Sequence, residues 1–278
     1  MPFATRGAVR IYWEWRRRPE DAPGGRTPVV LLRGLSRSLR FWLGLAHRLA
    51  ERSSLLLLDN RGIGRSLDDG RRFTIADLAD DVVAVLDDAG VARADVFGIS
   101  LGGMIAQELV LRHPERVGRL ALGATTPGPR HGRRPALLAV ATLLAANALP
   151  RRLAGALSLP LVLSRLPRAE RDEVGREWDR LMRLEPPGRG TVLRQLLAAQ
   201  GHDTWDRLPL VRVPTLCVVG SADRLIPKEN SRLLADRIPA ARYVELAGCG
   251  HDFPADAPDE TVAVLDRFFG EDAAPTRG

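Results

Sequence analysis

Apolar and polar positions follow two different spacings along this chain, and the two spacings alternate. Residues 28–32 (PVVLL) and 55–58 (LLLL) are short, continuous apolar runs. Similar runs occupy residues 94–97, 117–122, 214–219 and 242–246, and residues 9–15 alternate like a half-exposed edge strand. Continuous apolar runs of this length are typical of parallel strands that are covered on both faces of a sheet.

Between these runs, apolar residues recur every three or four positions, which is the spacing of an amphipathic helix. The segment from Thr74 to Gly90 is the clearest case, because it has a threonine N-cap, an acid at Asp77 and a terminal glycine. Helices are also predicted at residues 39–51, 101–112 and 259–269. Strands that alternate with helices predict an α/β protein with a doubly wound, mostly parallel sheet.

The alternation stops near residue 126 and resumes near residue 204. Only helical patterns lie in between, at residues 136–147, 152–165, 168–184 and 190–200. We therefore predict an α/β core domain formed by residues 1–126 and 204–278, with a helical cap inserted at 127–203. Such an insertion would cover one end of the strands.

Residues 98–102 read Gly-Ile-Ser-Leu-Gly and join a predicted strand to a predicted helix. A sharp strand-to-helix turn strains its central residue and requires small neighbours two positions away on each side. If Ser100 were only a helix cap, Gly98 would have no evident purpose, because glycine is costly inside regular structure. The pattern predicts that Ser100 is a nucleophile held at the tip of this turn.

A serine hydroxyl is a weak nucleophile near neutral pH, so it needs a base, and the base needs an acid that orients it. In this kind of fold the chain order is serine, then an acid, then histidine, each after the end of a strand. Asp223 follows the strand at 214–219, and His251 follows the strand at 242–246. The other histidines fit surface or helix-end positions. We therefore predict a catalytic triad of Ser100, His251 and Asp223.

Over nearly its whole length the sequence resembles the α/β-hydrolase superfamily, in particular small capped bacterial enol-lactonases, esterases and cofactor-free haloperoxidase-like enzymes. The residues that carry the resemblance are Arg33-Gly34, DNRGIGRS at 59–66, GISLGG at 98–103, G-x-x-D-x-x-x-P at 220–227 and G-x-G-H at 248–251. Together these motifs are specific for the fold and the catalytic machinery, but they say little about the substrate.

The resemblance also implies an oxyanion hole made of two backbone N–H groups. One belongs to the residue after the nucleophile and the other to the loop after the third strand, which here are Leu101 and Leu35. Donors of this kind contribute about 3–4 kcal/mol each to the transition state. Only backbone atoms are used, so leucine is acceptable at both positions.

The chain departs from the family at Arg33, where relatives usually have histidine. One interpretation is that Arg33 supports the loop through its several N–H donors. The other is that its guanidinium lies close enough to favour an acidic substrate or developing negative charge. Arg33, Trp42 and Met104 are our candidates for substrate-lining residues. Other side chains that could line a pocket, but that are as well explained by packing, are Phe41, Trp178, Met182 and Trp205.

The net charge of +7 raises the question of nucleic acid or an anionic membrane surface as a partner. Lys228 is the only lysine, and the arginines are scattered along the chain rather than clustered with aromatic residues. We therefore expect a small-molecule substrate, with no nucleic acid and no membrane as partner. Whether the chain forms a homo-oligomer stays open.

No cofactor and no metal are expected, because Cys217 and Cys249 lack companion ligands at zinc spacing. No apolar run is long enough to cross a bilayer, and the first residues lack the layout of a secretory signal, so we expect a cytoplasmic location.

The predicted function is a serine hydrolase that cleaves an ester, lactone or related acyl bond of a small to medium, mostly apolar substrate through an acyl-enzyme. Two alternatives stay open. The same triad can serve carbon–carbon bond hydrolysis or perhydrolysis, and a hydrolase fold can carry a ligand-binding protein without catalysis.

Overall fold

A computed structural model describes residues 2–19, 26–134 and 151–271 of the chain. The described residues form an 8-stranded sheet in the order β1-β2-β4-β3-β5-β6-β7-β8. The strands are β1 Phe3–Arg6, β2 Val9–Arg16, β3 Val29–Leu32, β4 Leu55–Leu58, β5 Ala94–Ile99, β6 Val117–Gly123, β7 Thr215–Gly220 and β8 Arg242–Leu246. From β4 to β8 all neighbouring strands are parallel, which confirms the predicted doubly wound, mostly parallel sheet.

Most α-helices of the described residues lie close to their predicted positions, but the helices Glu229–Arg237 and Phe253–Asp256 were not predicted. In chain order the α-helices are α1 Leu43–Ala50, α2 Ile75–Asp88, α3 Leu101–Arg112, α4 Arg151–Val162, α5 Arg168–Leu184, α6 Arg189–Gln200, α7 Glu229–Arg237, α8 Phe253–Asp256 and α9 Pro258–Gly270. Thr74 and Asp77 form the predicted capping box of α2. The helix predicted at 136–147 lies outside the described residues.

The prediction that residues 9–15 form an edge strand is wrong. This segment is β2, which pairs antiparallel with β1 on one side and with β4 on the other. The outer strand β1 is only 4 residues long, and a tight turn at Gly7, with φ of +62°, returns the chain to β2. So short a strand gives little periodic signal, which is why the sequence does not reveal it.

Two apolar layers enclose the sheet. Helices α2, α3 and α7 pack against one face, and α1 and α9 pack against the other. The chain leaves β3 for its neighbour β4 and then returns past β3 to β5, so the sheet reverses its winding direction between β3 and β5. Ligands of open α/β sheets bind at the carboxyl ends of strands beside such a switch point. No helix in the described part of the chain is long and apolar enough to span a membrane.

Candidate active site

Ser100 stands at the turn between β5 and α3, with φ of +58° and ψ of −119°. A residue other than glycine in this conformation is strained by roughly 1–3 kcal/mol and persists only where its surroundings hold it. Its N–H donates to the carbonyl of Gly123 at 2.9 Å, and its own carbonyl accepts the Thr125 hydroxyl at 2.8 Å. Backbone contacts therefore hold the Ser100 side chain at the tip of a strained turn.

The two flanking glycines are required by space. A Cβ at Gly98 would lie 2.2 Å from the carbonyl oxygen of Gly102, and one at Gly102 would lie 2.0 Å from the carbonyl oxygen of Leu32. Both separations are far below van der Waals contact, and the atoms met are backbone, which cannot rotate away. The expectation that the residues two before and two after Ser100 must be small is confirmed.

Asp223 and His251 are joined by a hydrogen bond of 2.8 Å between Asp223 Oδ2 and His251 Nδ1. Asp223 follows β7 and is buried, and its other oxygen accepts the backbone N–H groups of Leu225 at 2.8 Å and Ile226 at 2.9 Å. These bonds hold the carboxylate in one orientation. The Asp223 carboxylate can therefore hold a proton on Nδ1 and leave Nε2 of His251 as the free basic nitrogen.

The environment of His251 favours its charged form. Burial disfavours the imidazolium, but the Asp223 carboxylate outweighs this through its charge and its hydrogen bond, so that the pKa of His251 is raised above 6.5. Asp252 raises this pKa further, and the Arg33 guanidinium opposes it. His251 is thus arranged to accept a proton and to be stabilised once it carries one.

A turn after β3 connects Ser100 to the loop that carries His251. A Cβ at Gly34 would lie 3.2 Å from Cβ and 3.6 Å from Oγ of Ser100, so Gly34 lies against the serine side chain. The preceding residue, Arg33, binds Asp252, which follows His251 in the chain. Contacts therefore connect the ends of β3, β5 and β8, and the β7 end joins them through Asp223.

The two amides implied as an oxyanion hole lie on either side of this junction. Leu101 is the first residue of α3, where a helix leaves its N–H groups without intrahelical acceptors. Leu35 follows Gly34 in the turn beside Ser100. Among the described residues, neither N–H donates to a backbone or side-chain oxygen. Both amides are thus available to a developing negative charge, and their role stays a prediction.

Arg33 is almost completely buried, with 2% of its surface exposed. Its Nη2 donates to Asp252 Oδ2 at 2.6 Å and its Nη1 to Asp252 Oδ1 at 3.3 Å. The guanidinium also lies over the Trp42 ring, with Cζ 4.7 Å from the ring centroid. This geometry favours the interpretation that Arg33 supports the loop, because its charge is already compensated by a carboxylate.

The other two candidates for substrate contact are both buried. Trp42 is 2% exposed and packs against Phe97, with 5.5 Å between ring centroids, in the layer beneath Arg33. Met104 is 8% exposed and lies on the first turns of α3, in the apolar layer on the opposite face of the sheet. Their contact with a substrate stays a prediction.

Two side chains that the sequence did not single out tie the helices at 151–200 to the site. Gln195 on α6 is fully buried, and its Oε1 accepts the N–H of Ser36 at 3.0 Å, in the turn that carries Leu35. Asp256 accepts four backbone N–H groups, from Gly250 beside His251 and from residues 164–166 after α4. Both the turn that carries Leu35 and the loop that carries His251 are thus connected to the segment 151–200.

These contacts were missed because they join positions far apart in the sequence. Gln195 and Ser36 are 159 residues apart, and no local pattern connects them. The sequence offers only a weak indication of the Arg33–Asp252 pair. A buried arginine at position 33 would need an acidic partner, and Asp252 is an acid next to the predicted catalytic histidine. Pairing across the sheet edge could not be read from the sequence.

The remaining chemistry-bearing side chains of the described residues do not form a cluster. The described residues contain no group of three or more His, Cys, Asp and Glu that could hold a metal ion. Cys217 and Cys249 are both buried free cysteines, and burial raises the pKa of the Cys217 thiol to about 12.

Comparison with known proteins identifies the family to which this fold belongs. The family described as the alpha/beta hydrolase fold matches residues 27–258. The candidate carbamate hydrolase RutD of Azorhizobium caulinodans is 35% identical over 272 residues, which cover 98% of this chain and 99% of RutD.

Two solved structures have a similar fold. The enol-lactonase from Burkholderia xenovorans is 25% identical, with a TM-score of 0.77 over 97% of this chain and 100% of the enol-lactonase. Est816, described as an N-acyl homoserine lactone degrading enzyme, is 27% identical, with a TM-score of 0.74 over 96% of this chain and 100% of Est816. The family match covers well over half of the chain, and it includes the serine turn, the aspartate and the histidine loop. The chain therefore belongs to the α/β-hydrolase fold family and is a hydrolase of that fold.

Proposed function

We propose that this protein is a serine hydrolase that cleaves an ester, lactone or related acyl bond through an acyl-enzyme on Ser100. The observation that carries the proposal is the strained Ser100 turn, which lies at the same sheet edge as the His251–Asp223 pair. A buried aspartate that holds an imidazole has no evident structural need at this edge. It is the arrangement required to activate a serine hydroxyl.

In the proposed reaction Ser100 Oγ attacks the substrate carbonyl carbon while His251 Nε2 takes the hydroxyl proton. The resulting imidazolium is stabilised by the Asp223 carboxylate. The tetrahedral intermediate then collapses, and His251 returns the proton to the leaving group. A water molecule, deprotonated by the same nitrogen, attacks the acyl-enzyme and releases the acid. The bond between the Ser100 oxygen and the acyl carbon breaks in that step, and the proton returns to Ser100.

The Leu35 and Leu101 amides are proposed to stabilise the oxyanion of both tetrahedral intermediates. Support comes from their position beside Ser100 and from the absence of any other acceptor for them among the described residues. Residues 127–203 are proposed to act as the cap, and the bonds made by Gln195 and Asp256 couple that segment to the site.

A carbamate is the second candidate substrate class. Its support is the 35% identity to the candidate carbamate hydrolase RutD across almost the whole chain. The chemistry is compatible with the site, because a carbamate presents an acyl carbon to the same nucleophile and oxyanion donors. Carbon–carbon bond hydrolysis and perhydrolysis use the same groups, but no specific feature of the site favours them.

Covalent labelling with a fluorophosphonate tests the proposal. The wild-type protein is expected to be labelled at Ser100, and Ser100→Ala is expected to lose the label while keeping its folded spectrum. Ser54→Ala is a suitable control, because Ser54 precedes β4 at the end of the strand away from the site, and its hydroxyl oxygen accepts the backbone N–H of Arg18 at 3.2 Å. Equal labelling of wild type and Ser100→Ala, or no labelling of folded wild type, would favour a binding protein without catalysis.

If labelling succeeds, a substrate screen separates the classes. Matched aryl acetates, aliphatic lactones and aryl carbamates differ in the group attached to the acyl carbon but present the same carbonyl. Turnover of the carbamates at a kcat/KM above that of the acetates would assign the protein to the second class.

A further inference from the structure

Arg37 occupies an unusual position in the turn beside the nucleophile. Its backbone N–H donates to the Gly34 carbonyl at 3.4 Å, which closes the four-residue turn that also carries Leu35 and Ser36. Gly34 lies against Ser100. The Arg37 side chain therefore starts from the same short turn as the first proposed oxyanion donor.

The guanidinium of Arg37 contacts two aromatic rings, whose centroids are 6.3 Å apart and therefore lie on adjacent sides of it. Its Cζ is 4.5 Å from the centroid of Phe41, which precedes α1, and 4.6 Å from the centroid of Trp178 on α5. An aromatic ring attracts a guanidinium through its π face but does not replace a carboxylate as acceptor for the N–H donors. Aromatic side chains from the core and from the helical segment thus pack against the group without neutralising its charge.

No acceptor among the described residues binds those N–H donors, and no carboxylate there forms an ion pair with Arg37. The segment 135–150, PALLAVATLLAANALP, contains no aspartate or glutamate that could do so. Arg33 provides the contrast within the same loop, because Asp252 binds both of its terminal nitrogens. Within the described ranges, a carboxylate neutralises Arg33, and none neutralises Arg37.

The surroundings of Arg37 disfavour its charged form. Burial, together with repulsion from the nearby Arg33, lowers the pKa of Arg37 to about 10, although Asp252 opposes the shift. A cation that is partly removed from water without an acid partner is costly to the folded protein. An anionic ligand would compensate it, and the free in-plane donors match the two oxygens of a carboxylate.

We propose that Arg37 is a specificity-determining residue that binds a carboxylate of the substrate, so that the enzyme prefers acyl compounds that also carry a free carboxylate. The inference rests on the proposed serine hydrolase activity and adds to it the charge of the substrate. It also transfers the role considered for Arg33 to a neighbouring arginine whose charge is available.

Two pairs of esters test the proposal with the carboxylate on either side of the scissile bond. In the first pair, 4-nitrophenyl hemiglutarate is compared with neutral 4-nitrophenyl pentanoate. In the second, 4-acetoxybenzoate is compared with its methyl ester. In Arg37→Met, kcat/KM for at least one anionic ester is expected to fall at least about ten-fold more than for its neutral partner, as expected for the loss of a charged hydrogen bond.

Two further variants separate recognition from packing. Arg37→Lys keeps the charge and is expected to restore part of the preference for the anionic ester. Arg176→Met removes an exposed arginine from the same helix as Trp178 and is expected to leave both ratios unchanged. If Arg37 only joins α5 to the core, Arg37→Met will lower both members of each pair equally and will lower Tm, and that result would overturn the proposal.

Failure of the proposed function is recognised separately. If the wild type hydrolyses no ester and takes no fluorophosphonate label, the serine hydrolase assignment has failed. Anion binding by Arg37 is then measured directly, by calorimetric titration of glutarate into wild type and Arg37→Met. Binding weakened at least about ten-fold in the variant would support the carboxylate site, whereas equal binding or none to the wild type would overturn it.

Discussion

The carboxyl edge of the sheet and the helices at 151–200 contribute to the site in different ways. At the sheet edge, backbone atoms crowd against one another around Ser100, and a single added Cβ at Gly98 or Gly102 would meet backbone at about 2 Å. On the helical side, side chains make the contacts: Gln195 holds the turn at Ser36, and Trp178 stacks on Arg37.

We infer from this difference that the sheet edge serves the reaction and that the helical side serves substrate recognition. Backbone crowding leaves no freedom to vary the position of Ser100, the proposed nucleophile, so the sheet edge suits a reaction that is common to many substrates. Side-chain contacts can change one residue at a time without disturbing the sheet. The helical side is therefore where we expect this enzyme to differ from its relatives in substrate preference.

The largest expected effect comes from filling the space beside the Ser100 turn. Gly98→Ala should yield little folded protein, because its Cβ would lie 2.2 Å from a backbone oxygen that cannot move without displacing α3. Soluble yield and circular dichroism measure this outcome. Gly44→Ala is the matched control, since a Cβ there meets only the end of Arg48, at 3.9 Å. Normal folding of Gly98→Ala would show that the sheet edge is more tolerant than its crowding indicates.

Next in size is the loss of the acid that orients His251. Asp223→Asn should lower kcat about 10⁴-fold, the scale known for a triad whose acid is replaced by its amide, while the fold is kept. Because the pKa of His251 is raised above 6.5, wild-type kcat/KM should fall as the pH decreases through that raised value. Without the carboxylate the pKa falls, so the acidic limb of the residual profile should move to lower pH. An unmoved limb would mean that another group controls the profile.

The buried pair behind the histidine loop should affect stability more than chemistry. Breaking it with Arg33→Met leaves Asp252 buried and unpaired, and removal of one partner from such a pair costs about 3–5 kcal/mol. Urea unfolding of Arg33→Met, Asp252→Asn and the double variant measures this cost. The double variant should lose clearly less than the sum of the single losses. Additive losses would show that the two groups are not energetically coupled.

The smallest expected effect lies on the helical side. Gln195→Ala removes the acceptor for the Ser36 N–H, so the turn that carries Leu35 is held less firmly. Loss of one buried hydrogen bond corresponds to a decrease in kcat of roughly three- to ten-fold, with a smaller change in KM. Gln200→Ala, at an exposed position of the same helix, should change neither constant. A larger change in KM than in kcat would place Gln195 in substrate binding instead.

Much of the core could be predicted because its signals are local. The continuous run at 55–58 and the capping box at Thr74 each lie within a few residues, and both elements form where expected. Helix α5 also begins and ends at its predicted residues. The strand β1 was missed because its four residues are stabilised by pairing with β2 rather than by a pattern of their own.

The residues of the candidate site also fall into two groups, those that a local motif indicates and those that only tertiary contacts reveal. Ser100, Asp223 and His251 could be identified from sequence because each follows a strand in a short motif. Gln195, Asp252 and Asp256 could not, because each acts on a loop from another part of the chain.

By itself, the sequence determined most of the strand and helix order of the core, although not β1, α7 or α8, together with the strained turn at Ser100 and the chain order of the three proposed catalytic residues. These depend on steric and periodic rules that act over a few neighbouring residues. Only the tertiary structure decided which charges are compensated, because an ion pair such as Arg33–Asp252 joins residues 219 apart. Two arginines four positions apart look equivalent in the sequence, but in the part of the chain that the structure describes only Arg33 has a carboxylate partner, and this difference is the basis for the ligand role proposed for Arg37.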